Sequence, residues 1–214
     1  MTRPRVGVID YGLGNLFSVQ RALETVGADV EFISTPSELA QADRVILPGV
    51  GAFSDGMRGL DERGLIDPIR EYAQTGRPLL GICLGMQMLA TTSDEFGQHE
   101  GLGLIPGRVV AVPPLAADGA AHKIPHVGWV ALHATPGASW EETPLEPISD
   151  GTCVYLVHSY HVLPDDEAHL LAECSYGGQT ITAAIRSNNV TGFQFHPEKS
   201  GPTGLTILRR FVDP

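Results

Sequence analysis

The chain has 214 residues, a hydrophobic fraction of 43%, and a formal net charge of −11 at pH 7. This length and composition are typical of one globular domain with a sizeable core, while the acidic balance argues against nonspecific binding to nucleic acid or to an anionic membrane surface. No apolar run reaches the roughly 18 residues that a membrane-spanning helix needs, and three cysteines without a C-x-x-C pair favour neither a disulfide framework nor a zinc site. We therefore expect a cytoplasmic single domain over residues 1–214, with no signal peptide, metal or cofactor.

The first half of the chain alternates short apolar runs with helical patterns. We predict strands at residues 5–10, 29–33, 44–47 and 78–82, with helices between them. This alternation predicts βαβ units and a central, mostly parallel sheet with flanking helices. Ligands of such sheets bind at the carboxyl ends of strands, where glycine-bearing turns fall at 11–14, 48–51 and 81–85.

The second half is rich in short strands, which we predict at 108–112, 126–132, 153–157, 170–175, 180–185 and 190–195. Few helical patterns separate them, so this half predicts an antiparallel β extension that ends in one helix near 204–212. Residues 113–124 and 134–149 are rich in Ala, Pro, Gly and acidic residues, and they predict two surface loops.

Cys83 has the sequence context of an activated nucleophile. The run Gly-Ile-Cys-Leu-Gly-Met-Gln at 81–87 places it between glycines, after a buried strand and before a helix. A sharp strand-to-helix turn of this G-x-nucleophile-x-G kind exposes the side chain at a helix N-terminus, which favours thiolate. A buried structural cysteine beside a tight turn explains this stretch alone equally well.

The best candidate for the base is His196, one of eight histidines in the chain. It ends a buried-looking strand and is followed by Pro197, which fixes the chain direction. Glu198 is two residues away, so in extended chain it points to the same side. Its carboxylate would accept the imidazole Nδ1–H and leave Nε2 free for the thiol proton. Taken alone, a strand-end histidine and a solvated glutamate explain the same residues.

Two further elements complete an acyl-transfer site. The backbone N–H of Leu84, which follows the nucleophile, and the loop Gly49, Val50, Gly51 after the third strand predict an oxyanion hole. Gln87 lies one helical turn after Cys83, so it shares a face with the nucleophile and could present an amide to a polar substrate.

The motifs at 81–87 and 193–198 together resemble those of the triad-type, or class I, glutamine amidotransferases. The resemblance extends over residues 6–212 and implies an α/β, flavodoxin-like fold. It also implies a Cys83–His196–Glu198 triad that hydrolyses L-glutamine through a thioester without a cofactor. The residues that it implies for the amino acid head group are Gln87, His158, Ser159 and Tyr160.

Finer features resemble one branch of that family, the glutaminase subunits of imidazole glycerol phosphate synthase. These features are the segments 10–16, 47–53, 125–129 and 157–160, with Val130 where the branch usually has Asn. The resemblance implies a heterodimer with a (β/α)8-barrel cyclase, to which the ammonia passes. The predicted docking residues are Tyr11, Asn15, Trp129 and Lys199, although Lys199 also reads as a solvated lysine.

Three other functions remain open at this point. The chain could serve another class I amidotransferase, such as an anthranilate, aminodeoxychorismate or pyridoxal phosphate synthase. A cysteine hydrolase acting on esters or peptides is a second alternative, against which Gln87 and the 49–51 loop argue. A docking module without catalysis is the third, and the intact Cys83, His196 and Glu198 argue against it.

Overall fold

The computed structural model describes residues 4–213, so the predicted absence of a signal peptide, as far as it concerns residues 1–3, lies outside the described residues. The first half forms the predicted strands β1 (Arg5–Ile9), β2 (Asp29–Ile33), β3 (Arg44–Leu47) and β4 (Leu79–Ile82). Its helices are α1 (Leu16–Thr25), α2 (Pro36–Gln41), α3 (Phe53–Glu62), α4 (Ile66–Gln74) and α5 (Leu84–Met88). Local signals set several ends: a Thr35–Glu38 capping box begins α2, and the Asn15 side chain accepts the Ser18 N–H at the start of α1.

The second half is largely β, as predicted. Its longer strands are β7 (Gly107–Ala111), β8 (His126–Ala131), β10 (Cys153–His158), β11 (Tyr160–Pro164), β12 (Leu170–Tyr176), β13 (Gln179–Ser187) and β14 (Val190–Phe193). Its two-residue strands are β5 (Thr92–Ser93), β6 (His99–Glu100) and β9 (His133–Ala134), and the final helix is α6 (Gly201–Val212). β11 was not predicted from the sequence.

The main sheet has eight strands in the order β2-β1-β3-β4-β14-β13-β12-β9. The first five pair in parallel and the last three are joined by antiparallel pairing, which confirms the predicted parallel sheet with an antiparallel extension. Two smaller sheets, β10-β8 and β11-β7-β5-β6, lie beside it. Because β14 pairs with β4 in the register Phe193–Ile82, the carboxyl ends of these two strands lie side by side.

Side chains on the two faces of the parallel strands belong to two different buried clusters. Val6 and Val8 of β1 belong to a cluster with residues of α1 and α6, whereas Ile9 belongs to one with residues of α3 and α4. Helices therefore cover both faces of the parallel strands, and the open edge left for a ligand is the one where the strands end.

The two predicted loops are irregular; the 134–149 loop packs against the rest of the chain, whereas the 113–124 loop is mostly exposed. In the 134–149 loop Leu145 is fully buried, the Trp140 indole N–H donates to the Leu171 carbonyl at 2.9 Å, and Glu146 forms a 2.6 Å ion pair with Arg210. The 113–124 loop closes through a bridge between Leu115 and Ala121. Within residues 4–213 no helix has the length and apolar character that crossing a membrane requires.

Candidate active site

Cys83 lies on a strained backbone between β4 and α5. Its φ of 55° and ψ of −109° are outside the regions that L-residues favour. Two hydrogen bonds hold this conformation, since the Cys83 N–H donates to the Phe193 carbonyl at 2.7 Å and the Cys83 carbonyl accepts the Gln87 N–H at 3.1 Å. Strain of this kind persists only where the surroundings enforce it, and it is typical of a nucleophile elbow.

The flanking glycines are required by close backbone packing. A Cβ on Gly85 would overlap the carbonyl oxygen of Leu47, the last residue of β3. A Cβ on Gly81 would lie 2.7 Å from the backbone of Gly85 and Met86. Any side chain at either position would push α5 away from β3 and β4, and the turn that exposes Cys83 would be lost.

The predicted base and its orienting carboxylate are in direct contact. His196 Nδ1 lies 2.8 Å from Glu198 Oε1, and the two side chains are 3% and 1% exposed. Extended chain does not produce this contact, contrary to our expectation, because Pro197–Lys199 form a short 3₁₀ turn that brings the carboxylate back to the ring. His196 Nε2 is buried and has no hydrogen-bond partner among the described residues.

The charges around His196 favour its protonated form. Burial lowers the pKa of the imidazole, but the side chains of Cys83 and Glu198 outweigh burial and raise this pKa to about 10. The His196–Glu198 pair is therefore suited to keep an imidazolium next to a Cys83 thiolate. The thiolate is the reactive form of a catalytic cysteine.

A pocket of about 260 Å³ opens above the elbow. It brings together the predicted nucleophile, base and oxyanion residues Cys83, His196, Val50, Gly51 and Leu84. It also contains the residues that the family resemblance assigned to the substrate, Gln87, His158, Ser159 and Tyr160. The volume suits one amino acid rather than a folded protein segment.

A buried tyrosine, Tyr11, holds the oxyanion loop (residues 48–51) by a hydrogen bond to its backbone. The Tyr11 hydroxyl donates to the Pro48 carbonyl at 2.7 Å, and a Cβ on Gly49 would overlap that hydroxyl. Gly49 therefore faces Tyr11 and does not line the pocket, whereas Val50 and Gly51 do. The φ of 103° at Gly51 requires glycine and turns the loop toward Cys83.

Both ring nitrogens of His158 have hydrogen-bond partners within the protein. Its Nδ1 lies 2.8 Å from the Tyr160 carbonyl and its Nε2 lies 3.1 Å from His126 Nδ1. Burial, opposed by the bond to Tyr160, lowers the pKa of His158 to about 3, so the ring is neutral near pH 7. His158 consequently shapes the pocket wall and has no free ring nitrogen to offer to a substrate.

Glu95 lines the pocket, although no sequence pattern distinguishes it. Its side chain lies in the pocket wall, the residue is 8% exposed, and Oε2 accepts the Phe53 N–H at the start of α3 at 2.6 Å. No motif surrounds it, and Asp94 next to it looks equivalent in sequence. Only the turn between the short strands β5 and β6 distinguishes the two acids.

The four predicted docking residues differ in accessibility. Trp129 is 58% exposed and Lys199 is exposed, while Asn15 is half-buried and caps α1. Tyr11 is only 1% exposed, so its side chain does not lie on a docking face. Tyr11 is buried because its ring packs in the core and its hydroxyl donates to the Pro48 carbonyl.

In the part of the chain that the structure describes, no group of three or more His, Cys, Asp or Glu side chains has a metal-binding arrangement. The residues around the pocket have the arrangement of covalent catalysis by a cysteine, with a buried imidazole–carboxylate pair and backbone donors near the sulfur.

Comparison with known proteins gives one consistent family. Residues 7–213 match the family model described as glutamine amidotransferase class-I. The imidazole glycerol phosphate synthase subunit HisH 1 of Legionella pneumophila (strain Lens) is 52% identical over 208 residues, which cover 97% of this chain and 98% of the relative. The subunit HisH of Syntrophotalea carbinolica is 46% identical, with 96% and 98% covered.

Solved structures share the fold at low sequence identity. The structure of PurLQS from Thermotoga maritima matches with a TM-score of 0.73 at 20% identity, over 99% of both chains. The glutaminase domain of Trypanosoma brucei CTPS with bound acivicin matches with a TM-score of 0.62 at 18% identity, over 97% of this chain and 93% of that one. These two matches concern the fold alone.

Proposed function

The chain belongs to the class I glutamine amidotransferase family, and we propose that it is the glutaminase subunit of an imidazole glycerol phosphate synthase. Relatives that carry this name are 44–52% identical to it over nearly their whole length. The observation that carries the catalytic part is Cys83, which is held at a φ of 55° and lines the same pocket as His196 of the buried His196–Glu198 pair.

The reaction proceeds in two halves at the sulfur. The Cys83 thiolate attacks the side-chain amide carbon of L-glutamine, and the carbon–nitrogen bond breaks as the protonated His196 gives its proton to the departing ammonia. The resulting thioester is then hydrolysed by a water whose proton returns to His196. One glutamine and one water give one glutamate and one ammonia, and Cys83 is regenerated.

Backbone donors stabilise the oxyanion that forms in both halves. The Leu84 N–H, at the start of α5, and the N–H groups of Val50 and Gly51 lie around the same pocket as the sulfur. A single donor of this kind contributes about 10²–10³ in rate in other enzymes. The helix N-terminus adds a favourable partial charge only over its first turn, which is where the oxyanion forms.

Selectivity for glutamine follows from the pocket wall. The carboxylate of Glu95 is the group suited to the substrate α-ammonium, and the Gln87 carbonyl oxygen is left as an acceptor because its amide N–H groups are already used. Ser159 and Tyr160 complete the wall around the head group. A pocket of about 260 Å³ has room for an amino acid amide.

The product ammonia needs a synthase that consumes it. We assign this role to a separate (β/α)8-barrel cyclase, which would combine the ammonia with its nucleotide substrate to give imidazole glycerol phosphate and AICAR in histidine biosynthesis. The complex would be a cytoplasmic heterodimer in which residues 1–214 form one glutaminase domain. Trp129, Lys199 and Asn15 remain our docking residues, since Trp129 and Lys199 are exposed and Asn15 is partly so.

The test is glutamine hydrolysis with and without the cyclase and its nucleotide substrate. We expect low hydrolysis by the chain alone, a rise with cyclase and nucleotide, and loss of glutamine-dependent synthesis in Cys83→Ala with ammonia-dependent synthesis retained. Intact glutamine-dependent synthesis in Cys83→Ala would rule out catalysis by this chain. Recovery of an anthranilate-type synthase instead of a barrel cyclase in a pull-down would overturn the partner.

A further inference from the structure

We propose that Gln194 is a catalytic residue whose side-chain amide donates a hydrogen bond to the sulfur of Cys83 and stabilises its thiolate. The residue lies between β14 and His196 and is completely buried. Its Nε2 is 3.7 Å from Cys83 Sγ, within the range of a hydrogen bond to sulfur. The proposal deepens the glutaminase function above and rests on it only for the turnover measurements.

The neighbouring groups fix which end of the Gln194 amide faces the sulfur. The Tyr160 carbonyl can only accept, so the group 3.0 Å from it on Gln87 must be the amide N–H. That same Gln87 nitrogen lies 3.1 Å from the other end of Gln194, which must therefore be the carbonyl oxygen. The nitrogen of Gln194 is left on the side of Cys83.

The acceptor that anchors this chain of amides is itself held in place. The Tyr160 carbonyl also accepts the Nδ1–H of His158, so both of its lone pairs are used. Because His158 is neutral, its Nε2 carries a lone pair and accepts the Nδ1–H of His126 at 3.1 Å. The donor and the acceptor of each hydrogen bond from His126 to Gln194 are thus determined, and the last donor in this series, the Gln194 amide N–H, points at the sulfur.

Deprotonation of Cys83 changes which contact of its sulfur is favourable. The thiol S–H can donate to the Val157 carbonyl at 3.9 Å, but a thiolate has no proton to donate and is repelled by that oxygen. Gln194 offers the opposite contact, an N–H that strengthens when the sulfur becomes negative. An amide does not titrate, so this donor is present whatever the protonation state of His196.

The proposal is tested by alkylation of Cys83 with iodoacetamide, which requires neither glutamine nor a partner. Gln194→Met removes both polar ends of the side chain without adding charge, so it removes the donor alone from the sulfur. Gln194→Glu keeps the volume and the acceptor for Gln87 but replaces the amide N–H by a carboxyl group, whose ionised form has no donor and repels a thiolate. Thr191→Val is the matched control, since Thr191 is also buried, lies in the preceding strand β14 and makes no hydrogen bond to the sulfur. Alkylation is followed on the Cys83 peptide by mass spectrometry because Cys153 is exposed.

A hydrogen bond to a charged group corresponds to roughly tenfold or more in an equilibrium. We therefore expect alkylation at pH 7 to be about tenfold slower in both Gln194 variants, with its pH midpoint moved to higher pH, and unchanged in Thr191→Val. In the complex with the cyclase, kcat for glutamine should fall by a similar factor in Gln194→Glu while KM changes little.

Wild-type alkylation rates and pH midpoints in both variants would overturn the proposal, even if glutamine turnover is lost, because the loss would then act through Gln87. Thermal unfolding of each variant is compared with Thr191→Val, and a decrease in alkylation that only follows the folded fraction also overturns it. If Gln194→Met does not fold, Gln194→Leu, which also lacks both polar ends and adds no charge, decides the outcome by the same criteria. Failure of glutamine turnover in the wild type would instead refute the proposed function.

Discussion

Replacing Glu198 by Gln removes a charge from the active site while leaving its shape. The carboxylate oxygen lies 2.8 Å from His196 Nδ1, and an amide oxygen at the same place can still accept that N–H. The tautomer and orientation of the ring are therefore preserved in Glu198→Gln. What is lost is one of the two negative partners that raise the pKa of His196 to about 10.

The expected size of the effect comes from the burial of this pair. With the two side chains 3% and 1% exposed, water does not screen the interaction. A hydrogen bond to a charged group contributes about 1.5–3 kcal/mol, which corresponds to roughly a 10- to 100-fold lower kcat. Glu198→Ala removes the acceptor as well as the charge, so its kcat should be lower than that of Glu198→Gln.

The assay is glutamine hydrolysis by the complex with the cyclase across pH 6–10, with the free energy of unfolding measured by urea over the same range. Stabilisation by a protonated His196 is complete below its unfolded pKa of 6.5 and is lost as pH rises toward about 10. In Glu198→Gln this loss of stability with rising pH should be shallower. A wild-type kcat and an unchanged stability slope in that variant would refute the electrostatic role of Glu198.

Three further predictions follow from single contacts. Gly85→Ala should destabilise the chain by about 3 kcal/mol or more in thermal unfolding, because its Cβ would overlap the Leu47 carbonyl, and a melting point within a degree of wild type would contradict the packing. Tyr11→Phe should cost about 1 kcal/mol in urea unfolding and lower kcat, since it frees Pro48; equal stability and kcat would count against the tether. Because burial lowers the pKa of His158 from 6.5 to about 3, its contribution to stability is present above pH 6.5 and is lost as pH falls toward 3. The urea midpoint of His158→Gln should therefore decline less between pH 7 and 4 than that of the wild type, and parallel declines would speak against a neutral buried ring.

Much of the parallel sheet was predictable because β1, β3 and β4 are short apolar runs, each with a proline directly before or after it. β2 and β3 have the predicted bounds, and β1 and β4 differ from prediction by one residue at one end. β11 was missed because it begins only one residue after β10, and a strand that restarts so soon looks like a continuation of the same run. β10 and β11 are distinguished by their pairing partners, β8 and β7, and not by the strand propensity of their residues.

The pocket residues that lie in contiguous sequence motifs were predictable, whereas those that reach the pocket through contacts distant in sequence were not. Cys83 and His196 lie in contiguous motifs, while Glu95 reaches the pocket only through a turn between two-residue strands. Gln194 is part of a motif, yet its contact with the sulfur depends on the Tyr160 carbonyl, which is distant in sequence. Tyr11 was misjudged because a tyrosine after a strand gives no indication of whether it faces the core or the solvent.

The close packing of Gly81 and Gly85 in the elbow, and of Gly49 in the oxyanion loop, limits how the pocket can be redesigned. A Cβ on Gly49, Gly81 or Gly85 would overlap main chain or packed side chains, so no larger residue fits at these positions unless its neighbours move. The pocket wall itself includes side chains that do not support the elbow, among them Glu95 and Tyr160. A laboratory that wishes this scaffold to accept amides other than glutamine should therefore randomise that wall and keep the three glycines constant.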